Sequence, residues 1–124
     1  MLEKIKVLYI DDEIINLELF KMIFRSQFDV VMALGGPEGL EILKTDSDIK
    51  AVISDLTMPD MSGYEFLEEA RKIRAELPYF ILSGHNFTDD INQVDAKSKI
   101  AGYFQKPLDK SDVIFKVKEA CGII

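Results

Sequence analysis

The stretch AVISDLTMPDMSG, residues 51–63, holds an apolar run, Ala51-Val52-Ile53, that ends on a carboxylate, Asp55. Met58-Pro59 follows, then an acidic, glycine-containing turn. A short β-branched run bounded by turn residues reads as a buried strand. The question is why such a strand delivers an acid to its end and stops there.

Working outward, the same kind of segment recurs. IKVLYI (5–10), FDVVMA (28–33), KAVISDL (50–56), YFILSG (79–84) and IAGYFQ (100–105) all read as strands. Between them lie helical patterns. INLELFKMIF (15–24) has apolar residues at helical spacing, Ile15, Leu19, Met22 and Ile23. GGPEGLEILK (35–44) opens on a glycine pair, with Pro37 at a helix entry. SGYEFLEEARKIR (62–74) has Ser62 placed to cap it and Glu65 three residues on. TDDINQVDAK (88–97) is a weaker, more polar helix, and DKSDVIFKVKEAC (109–121) closes the chain. Strands that are short and mostly apolar belong in a sheet covered on both faces. Five such strands alternating with five helices through right-handed crossovers give an α/β, doubly wound, five-stranded parallel sheet. No linker or low-complexity segment divides the chain, so a single domain over residues 1–124 is expected.

Bulk composition narrows the function. A chain of 124 residues, 48% hydrophobic and 30% charged, suits one soluble domain with a real core. No apolar run approaches the roughly 20 residues that span a bilayer, and the start MLEKIKVLYIDDE is too short and too acidic for a signal peptide. The single cysteine, Cys121, excludes an internal disulfide framework and thiolate zinc clusters, and points to a reducing cytoplasm. A net charge of −7 disfavours direct contact with nucleic-acid phosphates.

In open α/β sheets, sites form outside the carboxyl ends of the strands. Read in that order, the first strand offers Asp11, Asp12 and Glu13, the third Asp55, the fourth Ser83 and Gly84, and the fifth Lys106. Three carboxylates on one rim repel each other. A hard divalent cation such as Mg²⁺ removes that repulsion through oxygen ligands. It also screens Asp55 from an incoming phosphate, so the carboxylate can act as a nucleophile on phosphorus. Lys106 supplies a mobile positive charge for a phosphoryl oxygen and Ser83 a hydroxyl donor. The strand ends on an acid because the acid is the acceptor.

Each residue alone has a plainer role. Asp12 and Glu13 suit a helix start, Asp55 a turn, Ser83-Gly84 a turn pair. His85 reads as a loop residue, since no second His exists to share a metal. Tyr103, Phe104 and Phe80 read as core or sheet-edge aromatics. The conjunction of four strand ends, each with the right chemistry in the right order, favours phosphoryl transfer over four unrelated roles.

At this point the chain resembles the receiver domain of bacterial two-component response regulators. The resemblance rests on YIDDE (9–13), ISDLTMPDMSGYEFL (53–67), ILSG (81–84) and YFQKPL (103–108), and spans about residues 5 to 120. It implies a flavodoxin-like strand order 2-1-3-4-5 and a cis Lys106-Pro107 bond. It implies Asp55 as phosphoacceptor and Mg²⁺ held by Asp12, Asp55 and the Thr57 carbonyl, with Asp11 acting mostly through water. Lys106 and Ser83 become phosphoryl partners. Ser83 and Tyr103 become the switch pair that reshapes the surface of the fourth helix, fifth strand and fifth helix. A sensor histidine kinase or phosphotransfer protein is the implied donor. An output domain or downstream protein is the implied reader, and a homodimer through the last two helices is left open. Two positions differ from the common pattern: KSKIAGYF (97–104) stands where many relatives carry a Gly-Ala pair, and Ser83 stands for a frequent threonine. Thr57 and His85, beside the phosphoryl position, are expected to tune hydrolysis of the acyl phosphate.

Three other functions share the architecture or part of the chemistry. An Asp-nucleophile phosphohydrolase usually carries D-x-D after the first strand, and here the candidate nucleophile is on the third. A flavodoxin-like electron carrier needs a hydroxyl- and glycine-rich loop for the FMN phosphate, where this chain has DDE. A receiver-like binding module that is never phosphorylated would not need all of these groups.

Overall fold

The computed structural model describes residues 4–84 and 100–124. Five parallel strands, β1 (Ile5–Asp11), β2 (Phe28–Leu34), β3 (Ala51–Asp55), β4 (Tyr79–Ser83) and β5 (Gly102–Gln105), form one sheet in the order β2-β1-β3-β4-β5. This is the order the resemblance implied. Helices α1 (Ile14–Phe24), α2 (Gly36–Thr45), α3 (Gly63–Ile73) and α4 (Lys110–Ala120) connect and cover them. The helix expected over 88–97 and His85 lie outside the described residues.

Alternation along each strand sorts side chains into two cores. On β1, Val7 and Tyr9 face one side and Leu8 and Ile10 the other. The first side is filled by Leu17, Phe20 and Phe24 of α1 and by Val113 and Val117 of α4. Rings run through it in series: Tyr9 stacks on Phe20 at 4.0 Å, Phe20 meets Phe24 at 4.5 Å, and Phe24 meets Phe28 at 6.0 Å. The second side is filled by Leu43 of α2 and by Phe66, Leu67 and Ala70 of α3. With both faces covered, the central strands are apolar almost throughout.

Ile15, Leu19, Met22 and Ile23 mark α1 as a helix, but they are not what it buries: all four are exposed, as is Ile14. The helix is apolar nearly all round, so helical spacing alone finds two overlapping stripes. The aromatic stripe wins the core because Phe20 and Phe24 bury more area per residue against Tyr9 and Phe28.

Local signals place the ends that matter. The capping box at α3 is complete: the Ser62 hydroxyl accepts from the Glu65 amide at 3.2 Å, and the Ser62 amide donates to the Glu65 carboxylate at 3.1 Å. Gly35, with φ at +91°, turns the chain into α2 in a conformation that side chains resist. Gly63 brings α3 against the loop after β3, donating to the Leu56 carbonyl at 2.7 Å. A Cβ at Gly63 would lie 2.8 Å from the Asp55 carbonyl oxygen and 2.9 Å from the Leu56 Cα, both backbone. Gly63→Ala is therefore expected to lower stability by about 1–3 kcal/mol, as overpacking does. A urea midpoint equal to that of the wild type would show that this close approach is not required.

Candidate functional site

β1 and β3 are neighbours, paired through Ile10 and Ser54, so their last residues emerge side by side. Asp11 shares the Tyr9 face of β1 and Asp55 shares the Ile53 face of β3, both toward α1. Asp12 follows at once. Carboxylate oxygens of Asp11, Asp12 and Asp55 all lie within 4.8 Å of one another. β4 ends on Ser83, one residue past Leu82, the partner of Asp55. Ser83 is buried, and its carbonyl accepts the Lys106 amide at 3.0 Å. That bond starts the loop after β5 at the site. The Lys106–Pro107 peptide is cis, as the resemblance implied.

Lys106 reaches back across this rim. Its Nζ stands 3.6 Å from Asp55 Oδ1, and its side chain is 39% exposed against 10% for Asp55. The acid is recessed and the amine sits at the lip. An open pocket over them is lined by Asp12, Asn16, Asp55, Thr57, Gly84 and Lys106, with Glu13, Met58 and Pro59. A larger cavity lies at the other end of the sheet, beside Lys6, Lys50, Arg74 and Cys121. Two of its cations are paired, Arg74 with Glu76 of the same lining at 2.7 Å and Lys6 with Asp46 outside it at 2.8 Å.

The carboxylates are held in different ways. Asp11 is wholly buried: Oδ2 accepts from the Tyr9 hydroxyl at 2.8 Å, and Oδ1 accepts from the Glu13 amide at 3.0 Å and Asn16 Nδ2 at 3.4 Å. Burial, then the Asp11 charge, pushes the Tyr9 hydroxyl up, so it stays protonated and donates. Asp55 is pushed up to about 6, first by burial, with Lys106 opposing and Asp11 and Asp12 adding their repulsion. The metal-free chain thus resists full ionisation of Asp55 at a site with three acids. An oxygen-only donor set, part buried and open on one side, fits a hard divalent cation.

The structure therefore brings Asp11, Asp12, Asp55 and Lys106 together, sets Thr57 on the pocket wall and puts Ser83 at the adjoining strand end. Tyr103 lies on β5, partly buried against the α2–α3 core. Tyr9 and Asn16 are site residues that pattern reading passed over. The signal for Tyr9 was present: a tyrosine in an aliphatic strand, two residues before an acid, shares that acid's face, and its hydroxyl needs a partner.

Residues 7–118 match the family model of the response regulator receiver domain, and the chain belongs to that family. It is a signalling module of two-component systems. The rice two-component response regulator ORR5 is 32% identical over 110 residues, covering 86% of this chain and 81% of that protein. The Escherichia coli transcriptional regulatory protein GlrR is 30% identical over 115 residues, 92% of this chain but 26% of GlrR, which carries further sequence beyond the shared part. Among solved structures, a response regulator receiver domain protein from Clostridium thermocellum superposes with a TM-score of 0.85 at 31% identity, covering 94% of each chain. Receiver domains act with histidine kinases and generally bind Mg²⁺, and the Asp11, Asp12 and Asp55 carboxylates here lie close enough together that they could hold such an ion. These findings favour the switch over the phosphohydrolase and electron-carrier readings. Among the described residues, no helix is long and apolar enough to cross a membrane.

Proposed function

We propose that Asp55 accepts a phosphoryl group from a histidine kinase or phosphotransfer protein and that the chain catalyses both this transfer and its slow reversal by water. The carrying observation is the Lys106 ammonium 3.6 Å from the Asp55 carboxylate, with Asp11 and Asp12 beside it. An Asp55 oxygen attacks phosphorus as the bond to the donor's imidazole nitrogen breaks, and the imidazole keeps the electron pair. Asp12, Asp55 and the Thr57 carbonyl would hold Mg²⁺, with Asp11 acting mostly through water, and the ion would supply the positive charge that lets an anion approach three acids. Lys106 swings from Asp55 to a phosphoryl oxygen, which its place at the lip allows. Ser83 donates its hydroxyl to another, and Tyr103 follows it inward. The surface of β5 and α4 then changes for an output domain, a downstream protein or a second copy. The whole cycle belongs in the cytoplasm, with no direct contact to nucleic acid or membrane.

The exposed row Ile14, Ile15, Leu19, Met22 and Ile23 supports this reading. It starts beside Glu13 and Asn16, which line the same pocket as Asp55. A donor seated on that apolar row would bring its phosphohistidine to the pocket mouth.

The test is uptake of one phosphoryl group from acetyl phosphate, followed by intact mass. Uptake is expected with Mg²⁺ and none with excess EDTA, whereas uptake indifferent to Mg²⁺, or none by a folded chain, contradicts the proposal.

A further inference from the structure

We infer that Tyr9 is a positioning residue of the cation site, its hydroxyl clamping the Asp11 carboxylate in the orientation in which it supports a bound divalent cation. The inference rests on the Mg²⁺-dependent reading above and extends it to a residue on the core side of the site.

The geometry carries it. Tyr9 and Asp11 are two apart on β1 and share a face, so a ring rising from the core reaches the acid at the strand end. The hydroxyl donates to Oδ2 at 2.8 Å, while Glu13 and Asn16 occupy Oδ1. Among the described residues, Tyr9 is the donor to Oδ2. The ring itself cannot drift, because it stacks on Phe20 at 4.0 Å with planes 10° apart. Both oxygens of Asp11 are thus fixed by groups that belong to the folded core and to the first residues after β1. A carboxylate that is wholly buried and held this way keeps one orientation toward Asp12 and Asp55. Groups that orient a metal-supporting carboxylate affect metal affinity about 10- to 100-fold when removed.

Tyr9→Phe removes only the hydroxyl and keeps the stacked ring. Oδ2 then becomes a buried anionic oxygen without its donor, and Asp11 turns to find one. A control separates positioning from simple stability. Tyr79 is another buried tyrosine, whose hydroxyl donates to the Arg74 carbonyl at 2.7 Å and the Ala70 carbonyl at 3.2 Å, far from the acids in the fold. Tyr79→Phe should lower the melting temperature equally with Mg²⁺ and with EDTA.

The experiment is calorimetric titration of the full chain with MgCl₂, beside melting curves in Mg²⁺ and in EDTA. For Tyr9→Phe the expected results are a Kd for Mg²⁺ raised about tenfold and a smaller Mg²⁺-induced rise in melting temperature. Tyr79→Phe should keep the wild-type Kd and the wild-type Mg²⁺ increment. A Tyr9→Phe Kd unchanged within about twofold, or tighter, overturns the inference while leaving the phosphoacceptor reading intact. A wild type that binds no Mg²⁺ overturns both. Should Tyr9→Phe fail to fold, the wild type still decides by NMR. Tyr9 ring resonances are expected to move with Mg²⁺ to the same midpoint as the calorimetric Kd, and Tyr79 resonances to stay; immobile Tyr9 resonances overturn it.

Discussion

Asp55→Asn is expected to take up no phosphoryl group from acetyl phosphate and Mg²⁺ and, in EDTA at pH 8, to unfold at a higher urea concentration than the wild type. The two halves share one cause. Burial raises the folded-state pKa of Asp55 to about 6, against roughly 3.9 when unfolded. Below about pH 4 the carboxyl is protonated in both states and no penalty exists. Between about pH 4 and 6 the unfolded chain releases its proton and the folded chain holds it, so stability falls as pH rises. Above about pH 6 the full penalty is present in the metal-free chain. About two units correspond to roughly 3 kcal/mol before screening at the open side of the pocket, and about 1–2 kcal/mol is the expected gain for the neutral amide. The gain should shrink toward zero by pH 4. An Asn variant no more stable than the wild type at pH 8 would show that the three acids do not burden the site. Phosphoryl uptake by that variant would show that the acceptor lies elsewhere.

Phe66→Ala carries the largest expected cost to folding, about 3–5 kcal/mol in urea unfolding. Phe66 is wholly buried on α3, in the core shared with Leu8 and Ile10 of β1. A Cβ built on Gly39 would meet the Phe66 ring edge and the Ile10 side chain, each at 3.0 Å, so α2 already rests against this ring. A sheet behind and two helices in front leave the cavity little room to collapse. A domain of this size has a total stability of roughly 6–19 kcal/mol, so such a loss brings it close to unfolding. A loss under about 1 kcal/mol would mean that the α2–α3 layer repacks freely, against the close contact at Gly39.

The strands and the rim they build were legible because their signals are local and redundant. Apolar runs bounded by turns located β1 to β5, and the acids at Asp11, Asp12 and Asp55 with Lys106 and Ser83 fell on strand ends that the sheet brings to one side. The capping box at Ser62 was legible for the same reason, since its chemistry lies within four residues. Two things were missed. The buried face of α1 depends on which stripe meets the sheet: Leu17, Phe20 and Phe24 were chosen by Tyr9 and Phe28, partners that helical spacing cannot name. The bond from Tyr9 to Asp11 was passed over although the acid two residues on gave a signal for it, because strand propensity treats tyrosine as one more aromatic, whereas the decisive property is an oxygen at the tip of its ring.

The strand ends are expected to assemble a phosphoacceptor at Asp55. The most direct measurement is to phosphorylate the wild-type chain with acetyl phosphate and Mg²⁺, digest it, and locate the phosphoryl group by fragment mass. The phosphoryl group is expected on Asp55 alone; finding it on His85, Asp12 or any other residue, with Asp55 unmodified, would show that Asp55 is not the acceptor.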